Sequence, residues 1–263
     1  MTCPVGGERF EALVTDVYTT HGGRPDGRPN TYWYMPLPLP ECPSNGLVIF
    51  AEFTPAQIAV LTRLIATPDY RRLVAEDSTY YRAQWLATRI GLSEQQALWI
   101  LLRATWQVKP AQGPVGQAMP SVAKARQYQQ EFAERVRALP PNPNDGDYIA
   151  LFPRAANAER ELGHFETAAA MLTQMNAWPT EGPSAEWRPF VAALSAVVAR
   201  HDSYVQPLDM ADDTEVPWLC IDPALPNTEF NHTFCDRSTT REAIERNQRM
   251  RDEMQRRNPP TPR

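Results

Sequence analysis

The side chains best suited to chemistry in this 263-residue chain are its four cysteines, Cys3, Cys42, Cys220 and Cys235. The first two have matching surroundings. Cys3-Pro4-Val5-Gly6-Gly7 and Cys42-Pro43-Ser44-Asn45-Gly46 share the form C-P-x-x-G. A zinc-binding knuckle of form C-P-x-C-G takes tetrahedral ligands from its first and fourth residues, and its glycine lets the chain turn tightly behind them. Here Gly6 and Asn45 stand where the second ligands belong, so two of four thiolates are missing. Cys3 and Cys42 are therefore the candidate metal ligands, and zinc is the candidate cofactor. His21 and the distal Cys220, His232 and Cys235 are the residues from which a four-ligand shell would be completed. Their spacing matches no zinc pattern, so the competing reading is a metal-free remnant held by packing, with no cofactor. A redox thiol pair is disfavoured, because there is no C-x-x-C and no basic neighbour to lower a thiol pKa.

Other chemistries find less support. No G-x-S-x-G elbow is present, and Gly113-Pro114-Val115-Gly116 lacks the lysine and preceding strand of a phosphate-binding loop. Glu159, Glu161, Glu166 and His164 read as a solvated corner, and Trp85, Trp99, Trp106 and Trp187 as core at helical spacing. No catalytic residue is assigned. Arg241, Arg246, Arg249, Arg251, Arg256 and Arg257 make the C-terminal stretch locally basic, but Glu242, Glu245, Asp252 and Glu253 offset much of that. With a net charge of only −5, a nucleic-acid partner is not expected.

The elements that would carry these residues fall into three stretches: a small module over 1–53, a helical domain over 54–201, and a tail over 202–263. A hydrophobic fraction of 43% and a charged fraction of 22% are globular values. No run reaches the roughly 20 apolar residues of a membrane span, and MTCPVGGERFEALV lacks a basic region followed by an apolar one. A cytoplasmic location is expected, and with it cysteines that are thiols or metal ligands rather than disulfides.

In the first stretch, Phe10, Leu13 and Val14 after one turn, and Leu47, Ile49 and Phe50 after the other, alternate as short strands would. Residues 21–30 read as a loop and Tyr32-Trp33-Tyr34-Met35 as a further strand. Helices are expected from Thr54-Pro55, from Ser78, and from Ser93 with Gln96 in the capping-box position. The Ser93 helix is apolar on nearly all sides, which predicts a central position. Further helices are expected over 121–138, 148–162, 165–176 and 185–201, with Pro153 kinking or delaying one of them. The tail reads as irregular, apart from a polar helix over 239–257 and a disordered Pro-Pro-Thr-Pro-Arg end.

Residues 157–175, NAERELGHFETAAAMLTQM, read as the corner of a helical hairpin, with Gly163 ending one helix and Phe165, Ala168 and Leu172 opening the next. Leu162-Gly163, Phe165, Ala168 and Leu172 resemble the turn and second helix of a tetratricopeptide repeat. Together with CPVGG, ECPSNG and ALWILLRATW, this stretch resembles a bacterial family that joins an N-terminal two-knuckle zinc ribbon to a tetratricopeptide-like helical domain. The resemblance covers roughly residues 1–176 and carries over only Cys3 and Cys42 as zinc ligands. It implies a mainly α fold, a helical bundle preceded by a degenerate zinc-ribbon-like β module, and it lends no activity. The expected function is a cytoplasmic protein-interaction module with a protein partner and no membrane association. The alternative is a zinc-dependent regulator or enzyme whose metal shell borrows tail residues.

Overall fold

Two threonine-proline pairs start the helical part of the computed structural model, which describes residues 1–13, 18–109 and 121–257. At α1 (Pro55–Leu64) the Thr54 hydroxyl accepts from the Gln57 N–H, and the Gln57 side chain accepts in return from the Thr54 N–H. At α2 (Pro68–Glu76) the Thr67 hydroxyl accepts from Tyr70 N–H. Proline fits both starts because the first-turn N–H it lacks has no helical partner anyway. α3 (Thr79–Arg89) is capped by Ser78, and α4 (Glu94–Val108) by Ser93 with the expected Gln96 box. The α2 helix was not anticipated, although Thr67-Pro68 carries the same signature as Thr54-Pro55.

The chain continues through α5 (Val122–Arg137), α6 (Gly146–Glu161), α7 (Phe165–Asn176) and α8 (Arg188–Ala199), each packed on its predecessor from α3 onward. Between α6 and α7, Gly163 adopts φ +85°, its N–H bonds the Arg160 carbonyl, and the His164 N–H bonds the Glu159 carbonyl. This paired closure satisfies carbonyls that the helix end would otherwise leave open. α6 runs through Pro153 from a start at Gly146. It also contacts α4, α5, α7 and α8, so α6 shares with α4 the central place expected of the latter alone.

The tail is more ordered than its composition suggests. It contains α9 (Val216–Leu219), α10 (Glu229–Cys235) and α11 (Ser238–Arg257), and α11 packs on α9. The polar helix expected over 239–257 is therefore present.

The first 53 residues contain no strand among those described, which corrects the β reading. Three isolated bridges, Thr2 with Arg9, Gly23 with Pro29 and Glu41 with Val48, close three tight turns and propagate no further. The segments that follow the two outer turns pack on helices instead. Phe10, Ile49 and Phe50 lie against a core formed by Cys3, Cys42, Leu47, Leu61, Tyr70, Leu73 and Leu86. Tyr32 and Trp33 are exposed in a bend rather than a strand. A larger core fills the space among α3 to α8. Val14, the glycine-rich stretch of 110–120 and the final prolines lie outside the described residues. No described helix is long and apolar enough to cross a membrane.

Candidate functional site

The two C-P-x-x-G turns face one another. In each, the cysteine N–H bonds the carbonyl five residues on, Cys3 to Glu8 at 2.9 Å and Cys42 to Leu47 at 2.9 Å. This brings the sulfurs together as a Cys3–Cys42 disulfide, and a second disulfide joins Cys220 to Cys235. The expectation of free thiols or metal ligands is corrected: no described cysteine is free. The physical reason is that each turn puts its sulfur on the inner side, where the partner turn presents the other, and both lie in the buried core under α1–α3.

The absent ligands have structural replacements. Asn45 crosses to the other turn, its Nδ2 donating to the Val5 carbonyl at 2.9 Å while its Oδ1 accepts from Leu47 N–H at 3.0 Å. Gly6 lies opposite, where an added Cβ would sit 3.8 Å from that amide. The other candidate ligands do not complete a shell: Cys220 and Cys235 are bonded to each other, His21 pairs with Glu215 at 2.9 Å, and His232 contacts Asn227. Among the described residues the one grouping of three ligand-type side chains is Cys3, Glu8 and Cys42, whose ligand atoms lie within 4.8 Å of one another. A disulfide offers no thiolate, so these residues fit a metal only once the bond is reduced.

A third turn, at residues 24–28, is closed by a similar bridge one residue tighter than the other two, and it carries charge instead of sulfur. Arg24 N–H bonds the Arg28 carbonyl at 2.9 Å, and Asp26 projects into the helical bundle. Lys109, at the end of α4, places its Nζ 2.6 Å from Asp26 Oδ2 and 2.8 Å from Glu161 Oε2. Glu161 also accepts from Gln129 at 2.7 Å and from Asn157 at 2.8 Å. Burial alone would push the Asp26 carboxyl up, but Lys109 and Arg24 hold it below its ordinary range. Burial likewise opposes the charge on Lys109, and the two carboxylates outweigh it and raise its pKa. The solvated reading of Glu159 and Glu161 is thereby corrected: their side chains are 4% and 7% exposed. Glu159 meets Arg137 and His164. Glu166 and His164 are exposed as expected, and the four tryptophans pack on the two cores.

Arg160 extends this network to the tail. Its fully buried guanidinium donates to Asn157 Oδ1 and, through Nη1, to the carbonyls of Asp202 and Tyr204, both at 2.7 Å. That clamp lays residues 203–226 along the bundle and leaves a groove of about 970 Å³ between them and α5. Val122 and Arg126 line one wall, Trp218, Leu219 and Ile221 the other, and Lys109 and Glu161 the floor. Val122 is 67% and Trp218 37% exposed, so both walls present apolar surface to solvent. Arg154, Asn157 and Glu161 fall at i, i+3 and i+7 on α6, which places them on one face. That polar stripe within an apolar helix is the signal in the sequence for the network.

No protein-family model, curated protein or solved structure matches this chain. The functional reading accordingly rests on the geometry.

Proposed function

We propose that this chain is a non-enzymatic protein-interaction module, a tetratricopeptide-like stack of helical hairpins that receives a partner segment in the groove between α5 and residues 203–226. The observation that carries the reading is the solvent-open apolar pair Val122 and Trp218 on facing walls. Exposed apolar surface in a concave site has a favourable energy of burial, and a tryptophan there is a frequent binding anchor. The partner segment of best fit carries a large apolar side chain. It would fill the space between these walls, with Arg126 on one side of the groove and Glu215 and Asp222 on the other. Partner capture by the full chain and by Val122→Asp and Trp218→Ser variants tests this, with Tyr32→Ser as a remote exposed control. A partner retained by wild type and control, lost by both groove variants, and bound again as a purified protein is the expected result. If every captured protein survives both groove substitutions, the groove is not the docking site.

A second reading has a specific observation in its favour. Reduction of the Cys3–Cys42 bond by a two-electron thiol reductant would yield two thiols beside the Glu8 carboxylate, three ligands for zinc with a fourth position open. Cytoplasmic thiol pools keep such bonds open, so the cytoplasmic location goes with this state and the disulfide with an oxidising compartment. Zinc content measured after reduction and zinc addition decides it. About one zinc per chain, lowered by Glu8→Gln, supports the reading, and a metal-free reduced protein removes it.

A further inference from the structure

The nine buried side-chain donors without a partner among the described residues are unevenly distributed. Five belong to one place: Arg24 Nε and Nη1, Arg28 Nη1, Asn30 Nδ2 and Arg154 Nε. Arg24 and Arg28 are cross-turn neighbours, each 8% exposed. Arg154 comes down on the turn from α6, so close that a Cβ at Gly27 would lie 2.9 Å from its Nη2. Its guanidinium is framed by the Trp99 and Trp187 rings at 5.3 and 5.1 Å, which hold it in place.

Charge is as unbalanced as hydrogen bonding. Asp26 is the carboxylate of the turn, and its two oxygens are taken by Lys109 Nζ and the Arg28 N–H. With Arg24, Arg28, Lys109, Arg154 and Arg160 gathered around Asp26 and Glu161, and the Arg200–Asp202 pair beside Arg160, six cations meet three anions. Burial together with the neighbouring Arg24 depresses the Arg28 pKa to about 10, against the pull of Asp26. Buried charges in folded proteins are normally paired, and an orphaned one points to a missing ion or water. Water is the poorer candidate here. It could accept from these guanidiniums, but it brings no negative charge to offset theirs.

We propose that the turn at residues 24–28 and Arg154 form a binding site for a tetrahedral oxyanion, a phosphate or sulfate group. Hydrogen bonds from guanidinium N–H groups to the oxygens of such a group are charge-assisted, and the buried setting of these donors strengthens them. The ion neutralises the excess charge and locks the third turn onto α6. The site lies apart from the partner groove and does not depend on it.

The first test uses the full chain as purified: phosphate and sulfate released on acid denaturation after exhaustive desalting. The second is melting temperature against inorganic phosphate, sulfate and glycerol 3-phosphate, with chloride controls at matched ionic strength. We expect either about one oxyanion released per chain or a saturable rise of roughly 5–10 °C at a hundredfold excess over Kd. A response to inorganic ions alone identifies a free ion, and an equal response to the ester identifies the phosphoryl group of a larger molecule. Arg28→Gln and Arg24→Gln should each weaken binding at least tenfold, whereas Arg63→Gln on α1, exposed and outside both sites, should leave it unchanged. Should either arginine variant fail to fold, the wild-type ion content and melting shift still decide. No released oxyanion together with a melting temperature indifferent to all three ligands overturns the site, as does a response that both arginine variants retain.

Discussion

Lys109 Nζ lies 2.6 Å from Asp26 Oδ2, 83 residues away in sequence, with side chains 5% and 3% exposed. A single ion pair thus fastens the charged turn of the N-terminal segment to the end of α4, and through Glu161 to α6. Removing one member of a buried pair leaves an uncompensated charge, and the loss is larger than the net worth of the pair itself.

Asp26→Asn should therefore destabilise the protein by about 3 kcal/mol at pH 7. The Asp26 carboxyl is held below its ordinary value of 3.8, so its contribution is fully present above that value and lost as pH falls through the lower folded one. Urea unfolding at pH 7, 5, 4 and 3 measures this. The gap between wild type and Asp26→Asn should stay constant from pH 7 to 5 and close below 4. A gap that widens on acidification would contradict the pairing.

Arg160 should control the attachment of residues 203–226. Arg160→Met keeps the stem and removes the donors to the Asp202 and Tyr204 carbonyls, each a charge-assisted bond. The expected loss is about 2–3 kcal/mol, with faster proteolysis inside 203–226 than at α11. Limited digestion followed by mass spectrometry reads the cleavage sites. Unchanged protection of that segment would show that other contacts hold it.

The Cys3–Cys42 bond closes a sequence separation of 39 residues beneath α1–α3. Cys42→Ser should lower stability by roughly 3–4 kcal/mol under oxidising conditions, mostly by freeing the unfolded chain. In excess dithiothreitol with a chelator, wild type and variant should converge. Chemical denaturation in both conditions checks it. Equal stabilities in the oxidised state would mean the bond contributes nothing.

The local signals in the sequence were reliable where the partners lie within a few residues. Thr54-Pro55 with Gln57, Ser93 with Gln96, and Gly163 after Leu162 each did what their short-range chemistry requires, because a cap satisfies its own helix end. Thr67-Pro68 carries the same local signal and starts α2 in the same way. The mainly helical class followed from apolar spacing, and the lack of a long apolar run agrees with the described residues, none of whose helices is long and apolar enough to cross a membrane.

What the tertiary structure alone decided was the fate of groups whose partners are remote. Alternation after Cys3 and Cys42 predicted strands, but a strand needs a neighbouring ladder, and these segments found helices instead. The C-P-x-x-G turns identified two cysteines of one kind, yet only their apposition across 39 residues made them a disulfide. Glu161 looked solvated because a helical pattern shows which residues share a face and not what covers it. Lys109, Gln129 and Asn157 cover it here. Burial of a charge is a property of the assembled surroundings, so the ion network, the clamped tail and the groove were determined by packing between elements, not by any one stretch of sequence.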